Sequence, residues 1–88
     1  MKSRRTESFK KLFIKIPKPI KDLAGKSYKL WIENPSHPSL HFKKVKDKPE
    51  IYSVRIGIHY RALGLIKDNF IYWFWIGSHE DYNKFIQH

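Results

Sequence analysis

The chain has 88 residues, and we expect it to fold as one domain, residues 1–88, around a single thin core. Its hydrophobic share of 41% and aromatic share of 16% exclude an intrinsically disordered protein. Eighteen Lys and Arg residues face eight Asp and Glu residues, and the resulting net charge of +10 favours a polyanionic partner: RNA, DNA, an anionic membrane or an acidic protein.

The sequence contains no cysteine, whereas secreted domains of this size usually carry disulfides, so we expect a cytoplasmic protein. No apolar run approaches the roughly 20 residues of a membrane-spanning helix, and we therefore expect no membrane partner. The five histidines are not spaced as metal ligands, and no phosphate-binding glycine-rich loop is present. Neither a metal nor a cofactor is expected.

Two amphipathic helices are predicted in the N-terminal half. The first follows Thr6 as a candidate N-cap and ends before Pro17, with apolar residues repeating at i, i+3, i+4 and i+7. The second begins near Pro19 and ends at Asn34. Residues 1–5 are polar and are predicted to be frayed.

The C-terminal half is predicted to form strands. Three of them read clearly and a fourth reads weakly: Ile51–Ile58, Tyr60–Ile66, Phe70–Ile76 and, less regular in its alternation, Leu40–Val45. A short helix is predicted after Gly77. The expected fold class is α+β, with two N-terminal helices packed on a three- to four-stranded antiparallel sheet and a short C-terminal helix.

Arg61 is the most unusual residue of this half. It lies among aromatic and apolar residues of a predicted strand, where a guanidinium needs an anion or a paired carboxylate. Arg55 shares a face with Ser53 on the preceding strand, and it belongs either to the same site or to the solvated side of a half-buried strand. Neighbouring strands could bring both arginines to one face of the sheet.

Arginine, histidine and tyrosine in such a cluster suit RNA cleavage by the substrate's own 2′-hydroxyl. That hydroxyl must lose a proton, the phosphate gains negative charge, and the leaving 5′-oxygen must gain a proton. Histidine or tyrosine can transfer the protons, and arginine binds phosphate bidentately and stays ionised. The candidate catalytic residues are Arg61, His79, Arg55 and Tyr82.

Some of these residues have structural alternatives. His79 could cap the last helix, and Tyr82 could pack on the sheet. His59, in a predicted turn, is a candidate RNA contact or a solvated residue. A basic run is either a surface that steers phosphates or a solvated face: Lys43, Lys44, Lys46 and Lys48.

The same residues carry a resemblance to a known family. The chain is similar to the RelE/ParE toxin superfamily at Tyr52-Ser53-Val54-Arg55-Ile56-Gly57, Tyr60-Arg61-Ala62-Leu63, Ile76-Gly77-Ser78-His79 and Tyr82. The resemblance covers about Phe9 to Ile86. It implies a toxin of a type II toxin–antitoxin system, acting as a metal-independent mRNA endoribonuclease on the ribosome.

The resemblance also implies residue roles and partners. Arg61 matches an arginine that contacts the scissile phosphate, Arg55 a basic residue of the preceding strand, and His79 a catalytic position. An acidic antitoxin would neutralise the toxin, and operator DNA would be bound through their complex. The alternatives are a ParE-like inhibitor of DNA gyrase and a catalytically inactive module that binds nucleic acid or antitoxin.

Departures from the family pattern lie at both ends of the chain. Many members begin with an apolar strand, which the polar Met1–Thr6 segment is not predicted to form. Glu80 and Asp81 follow His79 where further arginine is common, and they are expected to repel phosphate.

Overall fold

The computed structural model describes residues 1–86, with side chains up to Phe85. Its elements in chain order are β1 (Lys2–Arg5), α1 (Glu7–Ile14), α2 (Lys18–Glu33), a 3₁₀ turn (Pro38–Leu40), β2 (Lys43–Val45), β3 (Lys48–Ile56), β4 (Tyr60–Lys67), β5 (Phe70–Ser78) and α3 (His79–Ile86). The α+β class predicted from the sequence is confirmed.

The two N-terminal helices begin and end where the sequence signals place them. Thr6 caps α1, because its hydroxyl accepts a hydrogen bond of 3.2 Å from the Phe9 N–H. Pro17 precedes α2 and Pro19 lies in its first turn, where the missing N–H costs nothing. At the end of α2 the Asn34 N–H donates a hydrogen bond to the Leu30 carbonyl.

The sheet has five strands in the order β1-β5-β4-β3-β2, rather than the predicted three to four. Strands β2 to β5 pair antiparallel, whereas β1 pairs parallel with β5. The expectation that residues 1–5 fray was wrong. An edge strand is held by backbone hydrogen bonds on one side and needs no apolar side chains. Lys2 and Arg4 also cover the Phe70 ring, at 5.9 and 5.3 Å from its centroid.

The predicted strand Leu40–Val45 is shorter in the structure. Leu40 belongs to the 3₁₀ turn, where it is fully buried. His41 follows with a left-handed φ of 46°, and the strand begins at Lys43. Burial of Leu40 beneath the turn therefore takes precedence over the alternating pattern.

The sheet has two apolar faces. Helices α1 and α2 cover one of them, where the core consists of Phe9, Trp31, Leu40, Val54, Ile56, Ala62, Ile71, Trp73 and Ile76. On the other face α3 packs against a smaller cluster built on Val45, Leu63 and Tyr82. Among the described residues no helix is long and apolar enough to cross a membrane.

A two-residue turn connects β4 to β5. Asp68 and Asn69 have φ values of 52° and 69°, and they join Lys67 to its partner Phe70. Asn and Asp tolerate the left-handed conformation that a two-residue hairpin turn requires. This turn fixes the β4–β5 register as far as Gly64, and an irregularity between Gly64 and Leu63 then shifts the register by one residue, so that Arg61 pairs with Gly77.

Candidate functional site

Arg55 and Arg61 form the centre of the candidate site. They are directly opposite each other in the β3–β4 register, as are their neighbours Val54 and Ala62. Val54 and Ala62 lie in the core beneath the helices, so the two arginines point to the opposite face of the sheet. The strand alternation in the sequence had predicted this common face.

Arg61 is fixed by aromatic and imidazole groups. Its Nε donates a hydrogen bond of 3.2 Å to His79 Nδ1, and its guanidinium carbon lies 5.2 Å from the centroid of the Tyr82 ring. Tyr82 is buried, and its ring stacks on His79 at a centroid distance of 6.1 Å. Arg61 Nη1 is buried without a hydrogen-bond partner within the described residues.

Arg55 is fixed in a comparable way. Its Nε donates to the Gly57 carbonyl at 2.9 Å, and its Nη1 donates to His41 Nε2 at 3.2 Å. Because arginine has no acceptor, that imidazole nitrogen must be the acceptor. His41 was not among the predicted site residues. A signal was present, since the alternation of Leu40–Val45 placed His41 on the same face as Lys43.

Among the described residues, neither arginine of the pair has a carboxylate partner. In the part of the chain that the structure describes, the salt bridges are Lys10–Glu7 and Lys18–Asp22, which lie on α1 and α2. Like charges opposite each other on a sheet are destabilising, so the pair costs stability. A site that holds two cations together in this way is suited to an anion.

The acidic residues after His79 stabilise α3. Glu80 and Asp81 are exposed and lie in the first turn of the helix, where the helix dipole favours negative charge. The Asp81 N–H donates to Ser78 Oγ at 3.1 Å, as in an N-cap. Both carboxylates therefore have a structural explanation, and neither forms a salt bridge with the arginines within the described residues.

The remaining candidate residues lie around this centre. Lys43 pairs with Ser53 and so points to the arginine face, whereas Lys44 pairs with Tyr52 and points to the helix face. Lys46 is exposed in the β2–β3 turn, and Lys48 is half-buried. The exposed His59 contributes its carbonyl, which accepts a hydrogen bond of 2.6 Å from the His79 N–H.

Gly77 is the partner of Arg61 on β5. A Cβ atom added there would lie 2.7 Å from the Trp75 ring, closer than van der Waals contact allows. The absence of a side chain lets Trp75 lie over this position, where it packs against Tyr82 and Phe85. The close approach therefore helps to fix α3 against the sheet.

A cavity of about 720 Å³ lies on the other face of the sheet. It is lined by Trp31 and Trp73 and by the arginines and lysines Arg4, Arg5, Lys10 and Lys21. None of the predicted catalytic side chains lines it, so the candidate site and this cavity are separate.

A family model for the ParE-like toxin domain matches residues 20–84. The chain belongs to the ParE-like toxin family. No curated protein matches it by sequence. The family match spans most of α2, the four antiparallel strands and most of α3, so it includes the arginine pair, His79 and Tyr82.

Solved structures agree with this family at the level of the fold. The RelB–RelE antitoxin–toxin complex from Methanococcus jannaschii is 17% identical, with a TM-score of 0.74 over 92% of this chain and 95% of that chain. YafQ from Escherichia coli is 14% identical, with a TM-score of 0.70 over 91% and 94%. The Escherichia coli RelBE toxin–antitoxin complex is 16% identical, with a TM-score of 0.67 over 86% and 93%. The five-stranded sheet with three helices is thus a RelE-like fold.

Proposed function

We propose that the chain is the toxin of a type II toxin–antitoxin system and cleaves mRNA on the ribosome. The observation that supports this most is the pair of Arg55 and Arg61 on neighbouring strands. Neither forms a salt bridge within the described residues, and an imidazole is hydrogen-bonded to each guanidinium. The pair could bind the scissile phosphate, because guanidinium groups match phosphate oxygens in geometry and charge. The family match and the net charge of +10 agree with an RNA target.

The reaction has three parts. The 2′-hydroxyl loses its proton to a base and its oxygen attacks phosphorus; the P–O5′ bond breaks; and the 5′-oxygen takes a proton from an acid. The products are a 2′,3′-cyclic phosphate and a 5′-hydroxyl. Arg61 and Arg55 would stabilise the charge that develops on the phosphate, and His79 would transfer a proton.

Tyr82 has a positioning role in this proposal. Its ring is buried and contacts both Arg61 and His79. Burial of the ring argues against stacking on an RNA base and favours a role in holding the two side chains. Lys43 on the arginine face would contact a phosphate outside the scissile one, and Lys44, Lys46, Lys48 and His59 would extend the basic surface.

The charge of the chain and the similar structures support an antitoxin partner. An acidic antitoxin would neutralise a chain of this charge, and two of the similar structures are antitoxin–toxin complexes. Operator DNA would be bound through that complex, in the cytoplasm. The proposal predicts that a small acidic protein is encoded beside this chain, that its co-expression restores growth and that the two proteins co-purify.

Cleavage can be tested with purified ribosomes that carry mRNA in the A site. Wild-type protein should produce new 5′-hydroxyl ends at that codon, and Arg61→Ala should not, although it remains folded. Uncut mRNA with wild-type protein, or undiminished cutting by Arg61→Ala, would overturn the proposal. Circular dichroism of both proteins checks that each is folded.

A second candidate is inhibition of DNA gyrase, which the ParE-like family description favours. In that case mRNA would stay intact, and the protein would inhibit DNA supercoiling by gyrase in vitro. A catalytically inactive module that binds nucleic acid or antitoxin would do neither. The cleavage and supercoiling assays together distinguish these functions.

A further inference from the structure

The candidate site contains a second imidazole, on the far side of the arginine pair from His79. In the β2–β3 register Lys43 is opposite Ser53, and continuing this antiparallel register by two residues brings His41 opposite Arg55. Arg55 is opposite Arg61, which is opposite Gly77 at the end of β5. A single row across the sheet thus runs from His41 through both arginines towards His79.

We propose that His41 is the second proton-transfer group of this site, acting together with His79. The inference rests on the proposed ribonuclease function, because cleavage through a 2′-hydroxyl needs both a base and an acid. His41 and His79 are both exposed, so substrate could reach them. Imidazole is also the side chain that ordinarily changes charge between about pH 5 and 8.

The hydrogen bonds identify the accepting nitrogen of each imidazole. His41 Nε2 and His79 Nδ1 accept from Arg55 and Arg61, so in the free protein neither of these nitrogens carries a proton. A phosphate oxygen is a stronger acceptor for guanidinium than a neutral imidazole. Phosphate binding would draw the arginine donors away and leave an unprotonated nitrogen beside the substrate. The other histidine, in its protonated form, would supply the proton to the leaving 5′-oxygen.

The backbone at His41 also supports a specific placement. Its φ of 46° is left-handed, a conformation in which Asn, Asp and His are enriched among residues other than glycine. Arg55 is the charged group that contacts it, and the nearest titratable residues along the chain are His37 on the N-terminal side and Lys43 on the C-terminal side. His37 is engaged elsewhere, because its Nδ1 accepts from the Ser39 N–H at 3.2 Å.

The first test measures the rate of single-turnover cleavage of ribosome-bound mRNA against pH. The variant is His41→Asn, since Asn suits the left-handed backbone and carries no imidazole. The matched control is His37→Asn, which keeps an acceptor at the start of the 3₁₀ turn. We expect His41→Asn to lower the maximal rate by about 100-fold or more and to remove one limb of a bell-shaped profile. The control should keep both limbs and the wild-type rate.

Two results would overturn the inference. One is a wild-type rate and profile for His41→Asn, and the other is a rate reduced by the same factor at every pH, which indicates a structural role. If wild-type protein itself leaves mRNA intact, the proposed function fails and this inference with it. In the first two cases wild-type protein still cleaves mRNA, so only the role of His41 is refuted and the proposed function stands.

A second test assigns the roles. Substrate with sulfur in place of the bridging 5′-oxygen has a leaving group that needs no proton. In a two-histidine mechanism one histidine is the acid, so this substrate should restore cleavage to either His41→Asn or His79→Asn, but not to both. Restoration of both variants, or of neither, would contradict the paired assignment.

Discussion

Arg55 and Arg61 lie directly opposite each other on β3 and β4, and neither is in a salt bridge within residues 1–86. Two like charges at a cross-strand pair oppose folding, and the contacts around them hold each guanidinium in place. Such an arrangement costs stability and provides a preformed site for an anion, which is the trade-off expected where function requires it.

Arg61→Lys should lower mRNA cleavage by about 100- to 1000-fold, although it keeps the positive charge. Lysine lacks the planar fork that reaches both His79 and a phosphate. Initial rates of cleavage on the ribosome give the measurement. Lys67→Ala is the matched control, since it removes a cation at the exposed far end of the same strand, and its rate should stay within about twofold of wild type.

Wild-type activity in Arg61→Lys together with lost activity in Lys67→Ala would mean that net charge rather than the local geometry controls activity. Dependence on ionic strength distinguishes the two explanations, because loss of a general electrostatic contribution changes the salt slope of binding.

Tyr82→Phe and Tyr82→Leu separate two roles of this residue. The Phe variant keeps the ring beneath Arg61, and we expect it to cleave within about threefold of the wild-type rate. The Leu variant loses the ring, and its rate should fall by about tenfold or more as Arg61 and His79 lose their support. An equal loss in both variants would assign a direct role to the phenol hydroxyl.

The two helices could be predicted because their periodicity reflects burial of one face, and the three long strands because of their apolar and aromatic residues. The common face of Arg55 and Arg61 followed from the strand alternation. Strand β1 could not be predicted, since backbone pairing with β5 holds it and its residues are polar. His41 follows the 3₁₀ turn and itself has the left-handed backbone from which its side chain contacts Arg55. No local pattern in the sequence specifies that conformation. The Tyr82–Arg61 contact depends on how α3 packs on the sheet, which is tertiary information.

Gly77→Ala should destabilise the fold, because the added methyl group would lie 2.7 Å from the Trp75 ring. Overpacking of this kind costs about 1–3 kcal/mol of the free energy of unfolding. Gly25→Ala in α2 is the control: nothing lies within 4 Å of its added Cβ, and alanine should raise stability by about 0.5–1 kcal/mol. Urea unfolding followed by circular dichroism measures both changes, and destabilisation by both variants alike would refute the packing argument.

Lys43 and Lys44 are adjacent in sequence but point to opposite faces of the sheet, so they offer a matched pair. Lys43→Glu places a negative charge on the arginine face and should raise the KM for ribosome-bound mRNA by about tenfold, which corresponds to about 1.4 kcal/mol. Lys44→Glu makes the same change of charge on the helix face and should raise the KM by a smaller factor. The difference should shrink at high salt, because the charges are exposed and screened. Equal effects of the two variants would mean that RNA approaches the whole basic edge rather than the face that carries Arg55 and Arg61.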